Sequence, residues 1–332
     1  MLKKTLQIVI MSRNRPLEIE RAVSAALAVN FGDNTELVIS DNPEFTEQAL
    51  KQNFEATKYI LRSPALSWNS HFRAIVQECD AEWCLITHDD DELLPPLGYL
   101  FQEYKNQKNV VLITGRSKIV GPSGAEIIND GYNMRLSNSK LLYSEPHLRG
   151  DLFGYLFDLG TLFPASAMII RTNILKKFVE LDENFQLAAD LGLSMLVARE
   201  GDVVFQGREF VMNYNVHGGN SVFSEVAAGG LLADFVITRI QMLLDYPSEI
   251  NQQRMKMLAK SAIYAKLLTS AFDLWERYEL LDEKMEILLK RNKDVYLRIA
   301  KLFPAKMNPL KCSVRNIMWK KLGVKQYETK EG

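Results

Sequence analysis

At 332 residues, 47% hydrophobic and 24% charged, the chain has the composition of a globular protein of one large or two modest domains. No apolar run approaches the roughly 20 residues of a membrane span, and three cysteines (Cys79, Cys84, Cys312) are too few and wrongly spaced for a zinc site or a disulfide framework. The formal net charge of −1 is unevenly divided: residues 1–222 hold 21 Lys+Arg against 28 Asp+Glu, net −7, and residues 223–332 hold 19 against 13, net +6, so two regions with different partners are expected.

In chain order, "LQIVIM" (6–11) reads as a buried strand, and Pro16 opens a helix with Ile19, Ala22, Val23, Ala26 and Leu27 at three-to-four spacing. The start "MLKKTLQIVIMSRNRP" has too short an apolar segment and no small-residue cleavage site for a signal peptide, which predicts a cytoplasmic protein. "ELVIS" (36–40), "KYILR" (58–62) and "WCLIT" (83–87) are further strands, with helices near 44–53 and 67–79 between them. Strands separated by helices predict an α/β fold with a parallel sheet covered on both faces. Ligands of such sheets bind beyond the carboxyl ends of the strands. "SRNR" (12–15), "SDN" (40–42) and "HDDD" (88–91) each follow such an end, so three segments deliver polar groups to one edge.

Beyond Pro95 the pattern is mixed. Strands are predicted near 110–114 and 116–120, a turn at "GPSG" (121–124), and a strand at "SAMIIR" (166–171). A helix from near Ala188 is expected to turn Leu191, Met195, Leu196 and Ala198 inward, followed by two short strands in "VVFQ" and "FVMNY". From Ser224 onward only helical periodicity is seen, in segments near 224–245, 249–273, 275–302 and 309–322. The boundaries expected are a domain over 1–222 and a helical C-terminal region over 223–332.

Three adjacent carboxylates, Asp89 to Asp91, at a strand end repel one another and call for a cation among them. The competing reading is an acidic turn capping the helix that follows, since Asp is favoured at helix N-termini.

The motifs "IVIMSRNRP", "LVISDN", "WNSHFRAIVQECDAEWCLITHDDDELLP", "LDENFQLAADLGLSMLVAREG" and "NYNVHGGNSVF", in that order over roughly residues 5–222, resemble the GT-A nucleotide-sugar glycosyltransferases, in particular the inverting family 2. The resemblance implies a GT-A fold, Rossmann-like with a mostly parallel sheet flanked by helices, here with a C-terminal helical extension. It implies transfer of a sugar from a nucleoside-diphosphate donor, a UDP-sugar first, to a hydroxyl of a glycan or lipid-linked acceptor in bacterial surface polysaccharide synthesis, with Mg²⁺ or Mn²⁺ as cofactor. Registered on Pro95, it assigns Asp90 to direct metal contact, Asp91 to the ion or its immediate surroundings, and Asp89 toward the ribose. His88 stands where many relatives carry another Asp.

The same resemblance assigns Asp41 to the pyrimidine edge, with an Asx turn as the competing role. Ser12, Arg13, Asn14 and Arg15 go to the nucleotide, and Arg13 replaces a usual aromatic. Asn69 falls near the diphosphate or nucleoside, although Ser67 and Asn69 also suit helix capping. Asp190 in "AADLGLSML" is the implied general base, with Ala189 in place of the usual preceding acid; a carboxylate there also complements a helix dipole. His217 in "VHGGNS" is implied to ligate the metal or contact phosphate, or is an ordinary loop residue.

Residues 290–325 carry eleven Lys+Arg against the single Asp294, interleaved with apolar residues such as Phe303 and Trp319. A basic amphipathic segment suits an anionic membrane surface, and would place the protein peripherally at the inner face of the cell membrane. The alternative is a helical lid with its charged face in water. No nucleic-acid partner is expected. Against the transferase stands a non-catalytic sugar-nucleotide-binding or scaffold protein on the same fold, which the departures at His88 and Ala189 suggest. A phosphatase needs a nucleophilic Asp after the first strand, where the chain has "MSRNR", and a nucleotidyltransferase needs a Gly-rich loop there.

Overall fold

The computed structural model describes residues 4–13, 15–43, 57–121, 123–126, 147–148, 163–181 and 189–215. The predicted helix near 44–53, the predicted helices beyond 223, the basic tail, Asn14, His217 and Cys312 lie outside the described residues. The described residues up to Val120 and from His147 to Asn215 belong to one compact unit.

The elements are β1 (Leu6–Ser12), α1 (Pro16–Ala28), β2 (Thr35–Asp41), β3 (Thr57–Leu61), α2 (Trp68–Glu78), β4 (Trp83–His88), β5 (Glu92–Leu93), α3 (Pro95–Tyr104), β6 (Val110–Val120), β7 (His147–Leu148), β8 (Ile169–Arg171), α4 (Thr172–Leu181), α5 (Ala189–Glu200) and β9 (Asp202–Asn215). They build one sheet in the order β3-β2-β1-β4-β8-β6-β9-β5, with β7 on β9.

β1 to β4 are parallel, as the alternation of strands and helices predicts. β8 then runs antiparallel between β4 and β6, while β6 and β9 are parallel to each other. The directions therefore place the carboxyl ends of β1, β2, β4, β6 and β9 on one edge, with the lead-in to β8 beside them. The chain steps outward from β1 to β2 and β3, then returns to β4 on β1's other side. That reversal opens a crevice between the ends of β1 and β4.

Strand alternation sorts the core. Leu6, Ile8 and Ile10 of β1, Leu37 and Ile39 of β2, and Trp83 and Leu85 of β4 pack on α1 (Ile19, Ala22, Val23, Ala26) and α3 (Leu97, Leu100, Phe101). The opposite face is covered by α2, which buries His71, Ile75 and Val76, and by α4, which buries Ile174, Leu175, Phe178 and Val179. α4 went unpredicted, although its buried positions follow helical spacing. α5 buries the predicted Leu196, together with Leu193, Ser194 and Val197, and leaves Ala198 half-buried, while the side chains of Leu191 and Met195 lie outside the described set.

Two predicted strand breaks are absent. Residues 110–120 form one strand and 202–215 another, and their pairing shifts register on either side of Arg116. Gly115 marks the irregularity: a Cβ there would lie 2.5 Å from Val211 Cγ1 and 2.9 Å from the Gln206 carbonyl oxygen, so the two backbones come close only because no side chain intervenes. "SAMIIR" divides into a 3₁₀ turn at Ala165–Ala167 and the short strand β8.

Candidate functional site

The acidic run leaves the sheet at the end of β4, and its capping role is excluded by the local geometry. α3 begins two residues past Leu93, its N-cap is Leu94 with no side-chain bond, and Pro95 fills the first helical turn, where no N–H is needed. Between the run and α3, β5 pairs with β9 at Asn213 and Met212, and Leu94 N–H donates to the Val211 carbonyl. Glu92, the fourth acid in the row, is structural: it pairs with Arg21 of α1 at 2.8 Å and accepts from Asn213 Nδ2 at 3.0 Å. The segment is thus pinned on both sides, and none of its carboxylates caps α3.

Asp89, Asp90 and Asp91 are all buried. Ser12 Oγ donates to Asp89 Oδ2 at 2.9 Å, and the Arg13 N–H to the same oxygen at 3.3 Å. Arg15 Nη1 reaches Asp89 Oδ1 at 3.3 Å and Asp90 Oδ2 at 2.9 Å, a single guanidinium nitrogen shared by two carboxylates. Burial pushes the Asp89 carboxyl up, against the pull of Arg15. Asp91 is pushed up to about 7, also by burial, with the Asp90 charge adding to the rise.

Two further residues enter from elements that sequence spacing does not bring near. Asn215, at the end of β9, donates its N–H to Asp91 Oδ1 at 3.3 Å and its side-chain amide to the Asp90 carbonyl at 2.7 Å. Ser166 lies in the turn before β8. Because β8 is antiparallel to β4, with Leu85 opposite Ile169, continuing the register by three residues sets Ser166 beside His88, and Ser166 Oγ lies 3.1 Å from His88 Nδ1. Asn215 sat unassigned within the quoted "NYNVHGGNSVF". Nothing near Ser166 in the sequence foretells its partner.

His88, Asp90 and Asp91 offer ligand atoms within 4.8 Å of one another. Asp91 Oδ2 is buried without a hydrogen-bond partner, 3.9 Å from His88 Nδ1. A buried carboxylate oxygen left unsatisfied beside a second carboxylate and an imidazole fits the donor set of a divalent cation.

The other expected residues are distributed as follows. Asp41, at the end of β2, has no exposed surface, and its Oδ2 accepts the Tyr59 hydroxyl at 2.8 Å. Its neighbour Asn42 clamps a distant segment: Nδ2 donates to the Leu66 carbonyl at 2.8 Å, and Oδ1 accepts the Leu66 N–H at 2.7 Å. Ser67 caps α2 by accepting the Ser70 N–H. Asn69, in the same first turn, is half-buried and takes no part in that cap. Asp190 is the second residue of α5, with its side chain outside the described set.

No protein-family model and no curated protein sequence matches the chain. Solved structures do. A mannosyltransferase, PcManGT of Pyrobaculum calidifontis, in complex with GDP-Man and Mn²⁺, is similar with a TM-score of 0.54 at 12% identity, covering 100% of this chain and 89% of its own. S. aureus TarS (1–349) in complex with UDP-GlcNAc is similar with a TM-score of 0.51 at 12% identity, covering 90% of each chain. With a mostly parallel sheet flanked by helices and a polar edge where β1 and β4 end, the chain has the GT-A glycosyltransferase fold.

Proposed function

We propose that this chain is a metal-dependent, inverting glycosyltransferase that moves a sugar from a nucleoside-diphosphate donor, a UDP-sugar first, to a hydroxyl of a glycan or lipid-linked acceptor in surface polysaccharide synthesis. The observation that carries the reading is the cluster of half-buried His88 with buried Asp90 and Asp91 and its orphaned Asp91 oxygen, at the edge where a sheet of this topology takes its ligand.

His88, Asp90 and Asp91 would hold the ion, and the imidazole among them favours Mn²⁺ over Mg²⁺. When bound, a divalent cation supplies the counter-charge for the diphosphate leaving group. Asp89, held by Ser12 and the Arg13 amide, is assigned to the ribose. Arg15 balances the acids and is within reach of a phosphate. Asn215 fixes the backbone and carboxylate of the metal-binding turn. Asp190, at the start of α5, takes the acceptor's hydroxyl proton. His217 is assigned to the ion or the diphosphate, and residues 223–332 to a separate helical region.

The test is transfer from UDP- and GDP-sugars to lipid-linked and soluble glycan acceptors, with Mn²⁺, with Mg²⁺ and with excess EDTA. Transfer that chelation abolishes, and that Asp90→Ala abolishes with an unchanged circular dichroism spectrum, is the expected result. Full activity in excess chelator overturns the metal assignment. Donor binding without transfer or hydrolysis returns the scaffold reading.

A further inference from the structure

The inner stripe of α2 continues past the end of the sheet. His71, Ile75 and Val76 are buried against the strands. Phe72 and Trp68 extend that stripe toward the helix N-terminus by steps of three and four residues. His71 Nε2 lies 2.8 Å from Ser40 Oγ, which fixes this turn of α2 over the penultimate residue of β2. α2 runs back between the parallel strands β3 and β4, and side chains in a helix lean toward its N-terminus. Trp68, one turn before His71 and Phe72, therefore overhangs the carboxyl end of β2.

The indole is held flat there. It stacks on Phe72 with ring centroids 5.5 Å apart and 9° between the planes, yet it is 44% exposed. Its approach is fixed from below, because Asn42 clamps both backbone groups of Leu66, two residues before Trp68. Asn42 in turn donates its N–H to the Ser12 carbonyl, and Ser12 Oγ donates to Asp89. Hydrogen bonds thus run along the edge from the acids at β4, through β1, to the segment that carries the tryptophan. Neighbouring strands lie about 4.8 Å apart, so the ends of β4 and β2 are separated by about 10 Å. A ribose with its phosphate bridges such a gap.

We infer that Trp68, backed by Phe72, is the stacking surface for the base of the donor nucleotide. The assignment rests on the donor reading above: with the diphosphate against the acids at β4, the base arrives at the end of β2, below the indole. Stacking tolerates either a pyrimidine or a purine, because every base has a π-face. Discrimination between bases then falls to polar groups at the end of β2.

The experiment is calorimetric binding of UDP, GDP and inorganic pyrophosphate, each with Mn²⁺, to the full chain and to its Trp68→Ala and Trp68→Phe variants. Trp68→Ala is expected to weaken UDP and GDP about 10-fold, within the range of one base–aromatic stack, and to leave pyrophosphate unchanged. Trp68→Phe is expected to retain most of the affinity, and UDP but not pyrophosphate should quench the tryptophan fluorescence that Trp68→Ala removes. Equal weakening of UDP and pyrophosphate makes Trp68 a support of the edge and overturns the assignment, as does undiminished UDP affinity in Trp68→Ala. Wild-type protein that binds neither nucleotide overturns the donor reading, and the stacking role with it.

Discussion

Arg15 and His71 show two ways in which a buried polar group settles its charge. Arg15 brings a permanent cation to Asp89 and Asp90, while Asp91 keeps one oxygen without a donor, the kind of residual imbalance that marks a functional site. His71 takes the opposite course: burial and the nearby Arg62 lower it from 6.5 to about 4, so it folds neutral against Ser40, whose hydroxyl also accepts from Arg62 Nε at 2.9 Å. A base with a lowered folded-state pKa binds its proton first in the unfolded chain. Stability from this site is therefore complete above about pH 6.5 and is lost as pH falls toward 4, by on the order of 3 kcal/mol. The raised carboxyls of Asp89 and Asp91 act in the opposite direction, so the comparison must be between variants. In urea denaturation the stability advantage of wild type over His71→Gln should shrink by about 2 kcal/mol between pH 7.5 and pH 4.5; parallel curves would remove the assignment. For the proposed base, Asp190→Asn should leave donor affinity nearly unchanged and lower turnover at least about 10²-fold, the low end for general base catalysis. Loss of donor binding would place Asp190 on the wrong substrate.

Elements set the positions of these residues through close contacts that single side chains disturb. Gly98, inside α3, lies against the segment that follows α1: a Cβ there would meet the Asn30 carbonyl oxygen and Val29 Cγ1, each at 2.6 Å. Alanine gains up to about 1 kcal/mol over glycine in helix propensity. Overpacking costs about 1–3 kcal/mol, and one of the opposing atoms is backbone, which moves less easily than a side chain. Gly98→Ala should therefore destabilise the protein by about 1–2 kcal/mol in urea denaturation, and a stabilised variant would show that α3 can shift away from Asn30. The reversed strand β8 has a different consequence. It brings a loop, and not a strand end, to the crevice edge, which is how Ser166 comes to face His88.

At the scale of the whole molecule the charge division is the leading feature. Eleven Lys+Arg against one acid give residues 290–325 a net charge of +10, on a chain whose first 222 residues carry −7. We propose that this tail holds the protein on an anionic bilayer, each basic residue at the surface contributing about 1 kcal/mol, with Trp319 at headgroup depth. Full-length protein should sediment with anionic vesicles at low salt and not with neutral ones. The binding should weaken as salt shortens the reach of exposed charges to about 8 Å at physiological ionic strength. Truncation before Lys290 should remove the binding and spare transfer to a soluble acceptor. Equal sedimentation with both vesicle types, or none at low salt, would leave the tail a lid with its charged face in water.

The sequence by itself determined the parallel half of the sheet and its polar edge. Apolar runs bounded by "SRNR", "SDN" and "HDDD" set β1, β2 and β4 within a residue or two, because a strand buried on both faces reads as a continuous apolar run in the local sequence. Pro16 likewise announced α1. Only the tertiary structure decided what lies between β4 and β6, since pairing partners distant in sequence leave no local period. It joined 110–120 and 202–215 into long strands across the Gly115 irregularity and turned β8 around. It also separated the acids' roles: Asp89 went to Ser12 and Arg15, Asp91 was left half-satisfied beside His88, and Glu92 was tied to Arg21. Four neighbouring carboxylates look alike in a sequence because each has the same intrinsic chemistry. Their burial and their partners, contributed by β1, α1, β9 and the turn before β8, make them different.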